Sequence, residues 1–200
     1  DELIPSGETS SYRSNPERLS EFALSRRDPQ YVSRSKEVRQ IERDREAGKA
    51  LPEEVRNVYA ALTKAGVKND PAHTDIGSTI FANMPGDGSA REQAASCQRV
   101  MGASANFAKQ YATKRYRSNC INWGMTPFLV ENPEVFALGD YIFIPGLRQA
   151  VLENKASFSA YVVKADGMVT EFPVSTGALT EPERQIIADG CLINYYRNNQ

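Results

Sequence analysis

Residues 83–92 read NMPGDGSARE. Asn, Pro, Gly, Asp and Gly make a flexible turn, and Ser89 and Arg91 follow where a helical pattern begins. A helix N-terminus presents unpaired N–H groups and the positive end of the helix dipole, a ready place for an anion. Gly86 and Gly88 let the backbone approach a ligand closely. Arg91 adds a planar fork of donors that matches a carboxylate. Ser89 is a poor base in water, because its hydroxyl ionises far above neutrality, but the same donors would stabilise an alkoxide where water is excluded. From the residues alone the segment binds a carboxylate, hosts a serine proton acceptor, or simply caps a helix.

The elements around this junction are legible. Ser78–Ala82 (STIFA) is β-branched and aromatic, bounded by Gly77 and Pro85, and predicts a strand running into the turn. A helix is expected over 90–101, with Ala94, Cys97 and Met101 on one face. ASANFA at 103–108 reads as a short strand, and ATKRYRSNCINWG as a helix closed by Gly124. Extended pieces follow (PFLVE, YIFIPG, SFSAYVVKA and MVTEFPV), the last two joined as a hairpin at Ala165-Asp166-Gly167. TEPERQIIADGCLINYYRNN predicts one C-terminal helix with Thr180 and Glu183 at capping-box spacing. Upstream, residues 1–14 look extended, and Asn15 before Pro16 starts a short helix. Residues 31–73 form a charged helical excursion with a solvated face. Strands alternating with helices, then an antiparallel region, indicate an α/β domain in layers with its chemistry at strand-to-helix turns.

Composition narrows the function classes. The chain has 200 residues, a formal net charge of -1 and 24% charged residues, which suits one domain and gives no bulk signal for nucleic acid or membrane. No apolar run approaches the roughly 18 residues that span a bilayer. Cys97, Cys120 and Cys191 are far apart and odd in number, as expected of free thiols in a reducing compartment, cytoplasmic or mitochondrial matrix. Metal-ligand spacing is absent, so any metal centre would draw its ligands from elsewhere. His73 reads as a loop residue. The opening DELIPSG reads as a cut inside an ordered segment, which sets the expectation of a piece of a longer chain.

The GSARE segment resembles the GSSRE motif of the aconitase family, at the active-site loop of its swivelling C-terminal domain. DELIPSG…YRSN is similar to the family's stretch at the head of that domain, with Asp1 and Arg13 keeping its twelve-residue interval. ASANFAKQY…RSNCINWGMTPF and LTEPERQIIADGCLINYY resemble the family's following strand and helix and its final helix. The likeness spans nearly the whole chain outside 31–73. It implies a layered β/β/α swivelling domain of the aconitase/isopropylmalate isomerase type with a helical insertion. It further implies a hydro-lyase interconverting citrate and isocitrate through cis-aconitate on a [4Fe–4S] cluster.

By the same resemblance Ser89 is the base that removes the carbon-bound proton, and Arg91 supports that serine and the substrate. Arg13 holds a substrate carboxylate, and Asp1 sits in the active-site hydrogen-bond network. Ala90 stands where the motif has a second serine, so one hydroxyl contact to substrate is missing, and Glu2 and Ile4 depart from the mitochondrial-type pattern. The cluster ligands belong to other domains of the same protein, so the chain is expected to bind a tricarboxylic acid but to be inactive alone. An alternative is the small subunit or a domain of a related hydro-lyase, of isopropylmalate isomerase, homoaconitase or methylcitrate type. A second is an RNA-binding module using Lys109, Lys114, Arg115 and Arg117, against which the slightly acidic balance weighs.

Overall fold

The structure is a computed structural model that describes residues 2–200. Its elements are α1 (Pro16–Ser20), α2 (Tyr31–Glu46), α3 (Glu53–Lys64), β1 (Ser78–Ala82), α4 (Arg91–Val100), β2 (Ala103–Ala108), α5 (Lys114–Asn122) and β3 (Thr126–Leu129). They continue as β4 (Tyr141–Phe143), α6 (Leu147–Leu152), β5 (Phe158–Val163), β6 (Val169–Val174), α7 (Glu181–Asp189) and α8 (Leu192–Asn198). β1, β2 and β3 pair in that order as a parallel sheet, and β4, β5 and β6 as an antiparallel one.

Three layers result. The crossover helices α4 and α5 pack side by side on one face of the parallel sheet. The antiparallel sheet covers the other, where Phe107 and Phe128 stack at 5.1 Å and meet Phe158, Val162 and Phe172. Burying each such ring contributes about 2–3 kcal/mol of transfer free energy. A backbone bridge between Leu129 and Ser175 joins the two sheets at one edge. The layered α/β expectation holds in both sheets and in the order of their six strands, whereas residues 2–14, expected to be extended, form turns and a 3-10 helix at Ser10–Tyr12.

Local signals act as their chemistry requires. Asn15 accepts from the Arg18 N–H at 3.1 Å to start α1, and Thr180 and Glu183 form the reciprocal capping box of α7. The 31–73 excursion is more embedded than its charge suggests. On α2, buried Ser35 donates to the Met101 carbonyl at 3.0 Å and Arg39 donates to the Val100 carbonyl at 2.7 Å. Val55, Tyr59 and Leu62 of α3 build a separate core against Phe143 and Val163.

The expected single C-terminal helix is two helices. Gly190 lies in the left-handed region at φ 93°, ends α7, and lets α8 start afresh at Leu192. Its carbonyl lies against Gly124, where an added Cβ would stand 1.6 Å from that oxygen. The joint between α5 and α7 therefore closes only around glycine. Short α6, which sequence patterning leaves unassigned, packs on α7. Gly124→Ala meets both a backbone clash and a φ of +78°. Chemical denaturation should show it about 2–5 kcal/mol less stable than the parent, and an unchanged midpoint would refute the closed joint.

Candidate functional site

β1 delivers the chain to the C-terminal edge of the parallel sheet, the edge where open α/β sheets bind ligands. There the turn 83–90 is stitched to the segment that follows β2. Gln110 N–H donates to the Asn83 carbonyl at 3.1 Å, and Ala112 N–H to the Pro85 carbonyl at 2.9 Å. The Gly86 carbonyl accepts from the Thr113 hydroxyl at 2.9 Å and from Arg91 Nε at 3.2 Å. Gly86 itself, at φ +102°, sits on the Tyr116 ring, where a Cβ would lie 2.5 Å from the Tyr116 Cβ. Its small size thus serves packing on the core, not the close approach to a ligand that the sequence suggests. Thr113, which also caps α5 through the Tyr116 N–H, holds the turn and carried only a faint signal, a threonine ahead of a helical run.

The rest of the turn is left open. Ser89 is exposed, and its hydroxyl has no partner among the described residues. It is not the cap: Ala90 occupies that position at φ −90°, ψ 53°, and no side chain caps α4. The plain capped-loop reading therefore fails, and the first N–H groups of α4 point outward without a side-chain acceptor. Glu92 in the first turn does not cover them, because its carboxylate accepts from Trp123 Nε1 at 3.1 Å. Arg91 is half-buried; its Nε is tied to Gly86, and its terminal nitrogens have no carboxylate partner among the described residues.

Arg13 closes the 3-10 turn Ser10–Tyr12, exposed and unpaired among the described residues. Its segment is held by Tyr12 stacked on Phe22 at 5.4 Å and by buried Thr9, whose hydroxyl donates to the Pro5 carbonyl at 2.9 Å. Ile4, Leu19 and Ala23 then pack against Ala94, Ala95 and Cys97 of α4, with Ala90 at the margin of that cluster. One helix thus anchors both the Arg13 segment and the Ser89 turn. Asp1 lies outside the described residues.

The other sequence candidates fall elsewhere. Arg117 donates to the Thr176 and Ala178 carbonyls at 3.2 and 2.9 Å and pairs with Glu183, so it is unavailable to a basic patch with Lys109, Lys114 and Arg115. His73 is exposed and pairs through Nδ1 with Asp70 at 2.7 Å. Among the described residues no group of three or more His, Cys, Asp or Glu could hold a metal ion, and no helix is long and apolar enough to cross a membrane. Burial pushes the Cys97 thiol up and the Cys120 thiol up to about 12, so neither is a ready thiolate in this chain.

The layering is that of the swivelling-domain fold. A solved structure of 3-isopropylmalate dehydratase (leuD) from Methanocaldococcus jannaschii has this fold at a TM-score of 0.54. The similarity covers 100% of this chain and 86% of that one at 18% identity, which establishes the fold alone. No protein-family model and no curated protein matches the chain. In the native protein at neutral pH, a chromogenic disulfide should titrate Cys191 promptly and reach Cys97 and Cys120 only on unfolding. Three thiols reacting at one fast rate would contradict the burial described.

Proposed function

We propose that this chain is the swivelling, substrate-binding component of a hydro-lyase of the aconitase/isopropylmalate isomerase type. It works against a cluster-bearing partner, in the manner of the isopropylmalate isomerase small subunit. The observation that carries this reading is the open N-terminus of α4, with the Ser89 hydroxyl and the terminal nitrogens of Arg91 unpartnered among the described residues, at the C-terminal edge of the parallel sheet. Citrate–isocitrate specificity has weaker support, because the motif departs at Ala90 and the similar solved structure is of a 3-isopropylmalate dehydratase. We read residues 1–200 as one such domain, with 31–73 inserted in it.

In this reading Arg13 and Arg91 hold substrate carboxylates as bidentate donors, and the free N–H groups of α4 add a positive field. Ser89 Oγ, as the alkoxide, takes the proton from carbon, and the released electron pair becomes the carbon–carbon double bond as the neighbouring carbon–oxygen bond breaks; the Lewis acid to receive the departing hydroxide would be supplied by the partner's cluster. The iron–sulfur cluster expected from the resemblance would be held by the partner's residues. Ser89 is open to water in this chain, where an alkoxide is not stabilised, so activity requires a partner surface that excludes water over the turn.

Two variants of the assembled enzyme test the roles. Ser89→Ala should lower kcat by about a hundred- to ten-thousand-fold while the visible absorbance of the assembly is unchanged; wild-type turnover would remove Ser89 from the chemistry. Arg13→Lys should raise KM about tenfold with a smaller change in kcat, since a point charge cannot replace a fork. An unaltered KM would count against its carboxylate role.

A further inference from the structure

Two apolar side chains stand out of the surface beside the Ser89 turn, and each is held by a polar neighbour. Met84, in the turn itself, is 52% exposed, and its Sδ accepts from Gln110 Nε2 at 2.8 Å. Trp123, the only tryptophan of the chain, is 36% exposed at the end of α5. Its Nε1 donates to Glu92, in the first turn of α4, at 3.1 Å. Chain connectivity keeps both contacts near Ser89. At about 3.8 Å per residue, the Cα atoms of Met84 and Glu92 lie within about 19 and 11 Å of the Ser89 Cα. Met and Trp are residue types enriched at the cores of protein interfaces, and a side chain already tethered loses less freedom on docking.

The free charges beside these anchors are mostly of one sign. Thr113, tied to the Gly86 carbonyl at 2.9 Å, caps α5, and the next two residues are Lys114 and Arg115. Both are exposed and make no ion pair among the described residues. The first turn of α5 has no acid, so these cations stand at the positive end of its dipole, which disfavours them. Asp87 is the only acid of residues 83–90, and Glu92 is committed to Trp123. A carboxylate brought by another surface offsets this arrangement. A polycarboxylate substrate offers Met84 and Trp123 no apolar contact, whereas a protein face does. A standard interface covers about 800 Å² of each partner, a patch roughly 30 Å across, which takes in the turn, both anchors and the start of α5.

Resting on the hydro-lyase reading above, we propose that Met84 and Trp123 are the apolar anchors of the surface that docks on the cluster-bearing partner. The partner's face then carries apolar pockets for these two side chains and carboxylates opposite Lys114 and Arg115. Seated there, the anchors close the rim of the turn and keep bulk water from Ser89, while Ser89 and Arg91 remain free for substrate.

The test is oxidative footprinting of the assembled enzyme, with hydroxyl radicals as the probe and peptide mass spectrometry as the readout. Met168, 61% exposed at the hairpin between β5 and β6, is the internal reference. Left uncovered, Met84 should oxidise about as fast as Met168; docked, Met84 and Trp123 should both be protected about tenfold or more relative to an uncovered surface. Reversing both charges, Lys114→Glu with Arg115→Glu, should raise the dissociation constant for the partner about a hundredfold. Lys114→Arg with Arg115→Lys should bind within about threefold of the wild type, because this rim reads charge, a distinction that misfolding does not make. Met84 oxidised as fast as Met168 in an active assembly, or unchanged association of the charge-reversed variant, overturns this inference and leaves the role of Ser89 standing. An assembly that turns over none of citrate, homocitrate, methylcitrate and 3-isopropylmalate overturns the hydro-lyase reading itself, and this inference with it.

Discussion

The site rests on one buried polar clamp. Asn106, on the central strand β2, donates to the Tyr116 hydroxyl at 2.9 Å and exchanges 3.3 Å contacts with Gln98, while Tyr116 donates to Gln98 at 2.6 Å. All three side chains are fully buried, so losing any member strands the others away from water. The clamp takes one residue from β2, one from α4 and one from α5, and fixes both helices in register with the strand. Tyr116 also carries Gly86 on its ring, and the Gly86 carbonyl ties down Thr113 and Arg91. From the core outward, each contact settles the next, and the last position settled is the turn that presents Ser89.

The turn is fixed in its frame and open in its side chains. Backbone and Nε contacts hold its frame, while the Ser89 hydroxyl, the terminal nitrogens of Arg91 and the side chain of Arg13 stay without partners among the described residues. Other arginines of the chain are spent on structure: Arg39 on Glu17 and Val100, Arg45 on Glu42 and Asp75, Arg117 on Thr176 and Ala178. Under the proposed reading the open groups belong to the substrate, and the exposure of Ser89 explains why the fold needs a second surface over it. An activated serine needs low local water, and a lone domain edge cannot exclude it.

Much of this was legible in the sequence where one residue type has one physical use. Asn15 before Pro16, Thr180 with Glu183, and the run STIFA led to the cap, the box and the strand that the structure holds. Gly190 was the failure, because an isolated glycine inside a helical pattern looks tolerable until its carbonyl is seen seated against Gly124. The site was half legible. Ser89 and Arg91 stood out by type and spacing, but Ser89 was open to a reading as a cap that Ala90 in fact occupies. The packing role of Gly86 depends on Tyr116, thirty residues away in the chain, and the tether of Arg117 to Thr176 on the segment before α7 spans 59 residues. Such long-range pairings leave no local pattern to read.

The most direct measurement is a structure of the assembled enzyme bound to an unreactive polycarboxylate analogue of its substrate. The account predicts Ser89 Oγ within about 3.5 Å of the carbon whose proton is removed, the distance of a reactive approach, with Arg91 and Arg13 on carboxylates. An analogue bound away from the N-terminus of α4, with Ser89 still facing solvent, would contradict it.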